Sequence, residues 1–180
     1  MARKRNRLKT KQIKFSLRLD YERPASFFEG KTAEKLVEEG FAEIDRMGYR
    51  VVQRQVLKPT TTMAITLWLG KNFPTYHIVD QAATIWHELV HGEQWRDPAA
   101  VFPLRYPLRR WQWAFETQAY RQQCRVIRAL LGDDAAKKFA YWVPGRLQEK
   151  PYTMRRLDAA DVRKHTLRAI ESGLPGLNLL

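Results

Sequence analysis

Two histidines four residues apart, with a glutamate between them, restrict the local fold of this chain more than any other feature. They lie in the segment His87-Glu88-Leu89-Val90-His91. In an α-helix, residues i and i+4 project from one face about one turn apart, so both imidazoles can reach a single metal ion. Glu88 projects to the side, where its carboxylate can hold a water molecule beside that ion. This H-E-x-x-H pattern is typical of zinc hydrolases, in which the carboxylate accepts a proton from the water.

The same pattern also occurs by chance, as two histidines on the solvent-facing side of an ordinary helix. The residues before the motif suit a helix start, with Asp80 as the N-cap. At 100° per residue the apolar side chains around the motif form one stripe, and His87 and His91 lie on roughly the opposite side. Because that side could be a solvated face or a metal site, the interpretation depends on finding a third ligand.

The best candidate for a third ligand is Glu116, on a helix predicted from about Pro107 to Leu131. Glu116 shares a stripe with apolar residues, and arginines occupy the other side. A carboxylate in apolar surroundings must be paired or ligated, because an isolated buried charge is costly. Two histidines, one glutamate and a water would complete a catalytic zinc site. The alternative is a buried salt bridge between Glu116 and an arginine.

Other residues that could bind a metal fit less well. Cys124 is the only cysteine, so a thiolate cluster is not possible. Glu93 points away from His91 around the helix, and Asp97 follows the helix end. His77, in a predicted loop, and His165, in a basic C-terminal helix, are the next candidates.

Four segments together resemble the small gluzincin-type zinc metallopeptidases found in bacteria and tailed bacteriophages. The resemblance covers about a third of the chain and rests on His87–His91, Glu93–Arg96, Phe102–Tyr106 and Glu116–Tyr120. It implies a zincin-like fold, one zinc ion per chain, His87, His91 and Glu116 as the ligands, and Glu88 as the general base.

The resemblance also implies where substrate would bind. In this family the strand before the motif helix forms the edge of the cleft, so residues 64–69 would pair with the backbone of a peptide. The continuous apolar character of these residues also permits an inner strand. Arg105 and Tyr106 are candidates for stabilising an oxyanion, or else form a solvated rim or part of the core. Tyr120, one turn after Glu116, is expected to line the site.

Hydrophobic patterning predicts one α+β domain over residues 12–180, with a small antiparallel sheet, the two ligand helices and C-terminal helices. We predict strands over residues 13–19, 49–57 and 63–69, the last two forming a hairpin-like pair. Further helices are predicted over residues 32–47, 134–142 and 158–171, with Pro144 and Gly145 ending the second of them. The tail after Ser172 ends in apolar residues that could dock on a partner.

Positive charge is concentrated at one end of the chain. The net charge is +13, and the first 19 residues contain eight Lys or Arg and no acid. We interpret residues 1–11 as a flexible basic arm that contacts nucleic acid or an acidic protein surface. A solubilising, disordered tail is the alternative.

The sequence contains no secretory signal and no apolar run long enough to span a membrane, which favours a cytoplasmic or virion-associated protein. The expected function is zinc-dependent hydrolysis of peptide bonds in a peptide or protein substrate. One alternative is a zinc-bearing structural or virion assembly protein that retains the site. The other is a basic nucleic-acid-binding module with an incidental motif.

Overall fold

The computed structural model describes residues 21–54, 61–63, 65–97, 102–149, 152, 158–174 and 176–179. Within these ranges the protein is α+β and mostly helical. Its helices are α1 (Ala33–Arg46), α2 (Ile78–Arg96), α3 (Phe102–Arg105), α4 (Arg109–Leu131), α5 (Asp133–Gln148) and α6 (Ala159–Glu171). Its strands are β1 (Arg50–Gln53), β2 (Thr61–Met63) and β3 (Thr66–Leu69). The predicted basic arm and the predicted strand over residues 13–19 lie outside the described residues.

The three strands form one mixed sheet in the order β1-β3-β2. β1 and β3 are parallel, with Val52 opposite Trp68, and β2 and β3 are antiparallel, with Thr61 opposite Trp68. The prediction of an antiparallel sheet was therefore wrong for the β1–β3 pair. The segment predicted as one strand over 63–69 contains parts of two strands, the end of β2 and all of β3.

β3 is the central strand of this sheet, so both of its edges are already paired. Its side chains Leu67 and Leu69 are buried in the core. The prediction that residues 64–69 form the edge of a cleft and bind substrate backbone was wrong, because a strand with neighbours on both sides has no free row of N–H and C=O groups. The alternative of an inner strand is confirmed.

Helix α1 confirms the prediction for residues 32–47. The Thr32 hydroxyl accepts a hydrogen bond from the Lys35 amide and caps the helix, and Gly48 follows the helix with a φ of 73°. Gly40, in the middle of α1, faces α2. A Cβ added there would lie 2.4 Å from the Ile85 Cγ2 atom, so this glycine permits close packing of the two helices.

The two helices predicted to carry the metal ligands, α2 and α4, pack against each other, and α1, α5 and α6 complete the helical part of the fold. α2 begins two residues before Asp80, and the His77 side chain caps it by accepting a hydrogen bond from the Val79 amide. α4 confirms the prediction for residues 107–131, and α6 confirms the one for 158–171, with Asp158 as its N-cap. None of the described helices is both long and apolar enough to cross a membrane.

Helix α5 continues through Pro144 and Gly145, where the sequence predicted its end. A proline inside a helix removes one hydrogen bond and costs about 3 kcal/mol. Here Val143, Pro144 and Leu147 are all buried, and burying one leucine contributes about 1.5–3 kcal/mol. Burial of this last turn against the core therefore offsets the loss.

The C-terminal tail also differs from its prediction. Leu174, Leu177 and Leu179 are buried in the protein's own core rather than exposed for a partner. The Tyr141 hydroxyl donates to the Leu179 carbonyl oxygen at 2.9 Å, and the Glu171 carboxylate accepts from the Leu179 amide at 2.9 Å.

Candidate metal centre

Three side chains predicted as ligands converge between α2 and α4. His87 and His91 come from α2 and Glu116 from α4, and one ligand atom of each lies within 4.8 Å of the others. All three residues are buried, with exposed fractions of 8%, 6% and 2%. The two histidines therefore face the packed interior, which rules out the alternative of a solvated helix face.

The geometry of the cluster is set by the Glu116 carboxylate. Its Oε1 atom lies 3.6 Å from the His91 Nε2 atom, and its Oε2 atom lies 3.9 Å from the His87 Nε2 atom. The two imidazole rings are 4.9 Å apart between centroids. Both Nε2 atoms thus point at the same carboxylate. One ion placed between these atoms could contact all three side chains.

One oxygen of the Glu116 carboxylate lacks the partner that a bound metal ion would supply. Glu116 Oε2 is buried and has no hydrogen-bond partner among the described residues. A buried carboxylate oxygen of this kind is costly unless a cation or donor satisfies it. The charged partners of Glu116 in the described structure are the two histidines, so the alternative of a salt bridge to an arginine is not what forms. Nitrogen and carboxylate donors in this combination suit zinc.

The protonation states of the cluster are strongly coupled. Burial alone would lower the pKa of His91, but the charge and hydrogen bonding of Glu116, the charge of Glu88 and the contact with Gln94 together raise that pKa to about 9. Burial alone would raise the pKa of Glu116, but His91 and a hydrogen bond from Tyr106 lower it to about 2. Burial and the positive charge of His91 lower the pKa of His87 to about 3. Without a metal, one proton on His91 therefore neutralises Glu116.

Tyr106 contacts the cluster directly, because its hydroxyl donates a short hydrogen bond to Glu116 Oε1. Burial and the charge of Glu116 raise the pKa of Tyr106, which keeps the hydroxyl protonated as a donor. Arg105, the neighbouring candidate, lies over the ring of Trp111 at 4.4 Å. The structure thus brings Tyr106 to the ligand set and places the Arg105 guanidinium on an aromatic face.

Tyr120 lines the other side of the cluster. Its ring is 4.6 Å from that of His87, and its hydroxyl is 3.2 Å from the hydroxyl of Tyr152. Burial and the charge of Glu116 raise the pKa of both tyrosines. Tyr152 could not be predicted from the sequence, because no local pattern connects it with the motif.

Glu88 is buried with the ligands, with an exposed fraction of 6%. Its negative charge contributes to raising the pKa of both His91 and Tyr106. Glu88 also lines a small crevice with Met47, just after α1, and Leu67 from β3. Its role as a general base stays a prediction.

Gln94 is a second residue that the sequence analysis missed. Its side chain is fully buried, lies 2.8 Å from the His91 Nδ1 atom and also contacts α4. Its position three residues after His91, on the same side of the helix, was the available signal.

The remaining candidates lie elsewhere, as the sequence analysis expected. Asp97 accepts a hydrogen bond from the Tyr21 hydroxyl at 2.6 Å, and Glu93 is partly exposed on α2. His77 and His165 are both exposed.

No protein-family model, curated protein or solved structure matches this chain. The resemblance to gluzincin peptidases and the zincin-like fold therefore stay predictions. Support for a function comes from the geometry of the buried cluster.

Proposed function

We propose that this protein is a zinc-dependent hydrolase of peptide bonds, with His87, His91 and Glu116 as the zinc ligands. The observation that carries the proposal is the convergence of these three donors around a buried carboxylate oxygen that no described residue satisfies. Three protein ligands leave one coordination position for water or substrate, which is the arrangement of catalytic rather than structural zinc sites.

Zinc bound there would polarise the scissile carbonyl and lower the pKa of a water molecule. Glu88 acts as the general base that takes a proton from this water and passes it to the leaving amine. It suits that role because it lies on α2 between the ligands, and its charge acts on His91 and Tyr106.

Tyr120 is the better placed tyrosine for donating a hydrogen bond to the oxyanion. The Tyr106 hydroxyl already donates to Glu116, so Tyr106 holds a ligand in place. Tyr120 adjoins His87, and burial keeps its hydroxyl protonated. When the Tyr152 hydroxyl donates to Tyr120, the Tyr120 proton is left for the oxyanion. A preorganised donor of this kind stabilises the charge that develops on the carbonyl oxygen.

The test compares wild type with Glu88→Gln for zinc content and for cleavage of a diverse peptide library. We expect about one zinc per chain in both proteins, since three protein ligands remain. Cleavage by Glu88→Gln should fall at least about a hundredfold, which is the usual scale for losing a general base.

Glu93→Gln is the matched control, because Glu93 is on the same helix but outside the cluster. It should leave both zinc content and cleavage near wild type. Full cleavage by Glu88→Gln would show that Glu88 is not the base. A wild-type protein that binds no zinc while folded would contradict the whole proposal.

A second candidate is a zinc-bearing assembly protein, and the burial of the cluster favours it. His87, Glu88, His91 and Glu116 are each less than a tenth exposed. For this function we expect one bound zinc and no cleavage of any peptide in the library, a result that separates it from the first proposal.

A further inference from the structure

Gln94 connects the second histidine of the motif with the helix that carries Glu116. It lies on α2, is fully buried, and its amide group has partners at both ends. The Oε1 atom lies 2.8 Å from His91 Nδ1, and the Nε2 atom lies 3.3 Å from the Phe115 carbonyl oxygen and 3.0 Å from Gln118 Oε1. Phe115 and Gln118 flank Glu116 on α4.

These contacts determine which way the amide is turned. The Phe115 carbonyl oxygen can only accept a hydrogen bond, so the Gln94 atom facing it must be the amide nitrogen. The amide oxygen then faces His91 and can only accept. It follows that the Nδ1 atom of His91 carries a hydrogen and that the Nε2 atom is the one left for a metal.

We infer that Gln94 is a positioning residue that fixes the His91 ring and its position relative to Glu116. The amide oxygen of Gln94 contacts the imidazole, and its amide nitrogen contacts α4. A partner on the second ring nitrogen sets both the orientation and the tautomer of a metal-binding histidine. The zinc-affinity part of this inference rests on the proposed function, whereas the hydrogen bond itself does not.

His87 provides an internal contrast. Gln123 and the Ala119 backbone, both on α4, act on His87, and its ring lies 4.6 Å from that of Tyr120. The two histidines of α2 thus have different neighbours, because Gln94 contacts His91. Loss of Gln94 should therefore affect His91 and leave the His87 ring unchanged.

The test uses two substitutions in the full-length chain. Gln94→Met has a similar length but no acceptor. Gln94→Glu keeps an acceptor for His91 but places a second acceptor beside the Phe115 carbonyl oxygen, so it retains only the contact with the imidazole. In nitrogen-15 NMR spectra of the metal-free protein, we expect an exchange-protected His91 Nδ1–H signal in wild type and in Gln94→Glu. The same signal should be lost in Gln94→Met.

Zinc affinity, measured by competition with a chromophoric chelator, is the second readout. Gln94→Met should weaken zinc binding about 10–100-fold, the usual effect of removing such a partner. Gln94→Glu should bind zinc more tightly than Gln94→Met, because it keeps the acceptor for His91. Gln118→Met is the matched control, because it removes a contact of Gln94 without touching His91. It should retain both the protected proton and the zinc affinity.

Three results would overturn the inference. The first is a wild-type protein without the protected proton, and the second is a proton that survives in Gln94→Met. The third is an equal loss of zinc affinity in Gln94→Met and Gln94→Glu, which would reduce Gln94 to a packing role. A wild type that binds no zinc contradicts the proposed function, and the spectra of the metal-free protein still decide the role of Gln94.

Discussion

In the metal-free protein, His91 and Glu116 form a buried ion pair, and the positive charge is carried by the protonated His91 ring. The pKa of His91 is raised to about 9 and that of Glu116 is lowered to about 2, so both are charged at neutral pH. An unfolded histidine titrates near 6.5. In the metal-free protein this pair therefore stabilises the fold fully between about pH 4.5 and 6.5. The contribution from His91 is lost as the pH rises through about 9, and that from Glu116 is lost as the pH falls through about 2.

Zinc binding at pH 7 should release about one proton, because the His91 Nε2 atom must be deprotonated to bind the metal. Release should fall towards zero as the pH rises past about 9, the pKa of His91. Calorimetric titration in two non-chelating buffers with different ionisation enthalpies gives the number of protons. His165→Gln, at an exposed histidine, is the control and should release the same number. No proton release at pH 7 would contradict the raised pKa.

Single residues of the site were predictable only where local spacing carries the information. His87, Glu88 and His91 follow from helical periodicity, and Glu116 follows from its place on an apolar stripe. The role of Gln94 depends on how α2 packs on α4, which no local pattern specifies. Tyr152 lies outside the described helices and strands, so helical or strand periodicity cannot predict its contact with the site.

At the scale of elements, the contact between α1 and α2 depends on Gly40. Gly40→Ala should lower the free energy of unfolding by about 1–3 kcal/mol through overpacking, even though alanine favours a helix by about 0.5–1 kcal/mol. The reason is that the added Cβ would lie 2.4 Å from the Ile85 Cγ2 atom. Urea denaturation of the metal-free protein measures the change.

Gly145→Ala is the matched control for this substitution. Gly145 is also inside a helix, and an added Cβ there meets nothing within 4 Å. We expect a gain of about 0.5–1 kcal/mol from the higher helix propensity alone. A stabilised Gly40→Ala protein would mean that α1 and α2 are not packed as closely as described.

Helices were easier to predict from this sequence than the sheet. The bounds of α1, α4 and α6 follow from apolar periodicity and from capping residues such as Thr32 and Asp158. Strand pairing is a long-range property, and short apolar strands do not specify which neighbour lies on which side. The end of α5 was also missed, since the burial that keeps Pro144 helical depends on tertiary contacts.

At the scale of the whole molecule, an ion-pair cluster attaches the start of the described chain to the central helix. The Arg121 Nε atom lies 2.8 and 2.7 Å from the two carboxylate oxygens of Glu22. The Arg125 Nη1 atom lies 2.7 Å from one of the same oxygens. Arg125 also donates to the carbonyl oxygens of Arg23 and Gly173. Both arginines lie on the side of α4 that the sequence pattern sets opposite the Glu116 stripe, and there they connect three distant parts of the chain.

Glu22→Ala should lower the free energy of unfolding by about 3 kcal/mol, because it leaves two arginines without their buried partner. The Glu22 side chain is only 1% exposed. Glu38→Ala is the control, since the Lys35–Glu38 pair is 52% and 71% exposed and solvent screens it, so its loss should have a much smaller effect. Equal effects of the two substitutions in urea denaturation would show that the Glu22 cluster is not a stabilising one.

The ligands of the proposed zinc site belong to two helices that form the centre of the molecule, and this has a cellular consequence. An ion that binds only the folded chain adds about 2.7 kcal/mol of stability when its free concentration is a hundred times its dissociation constant. During zinc starvation the chain would lose that protection, and a larger fraction would be open to proteolysis. The cellular abundance of this protein would then follow the supply of metal as well as its rate of synthesis.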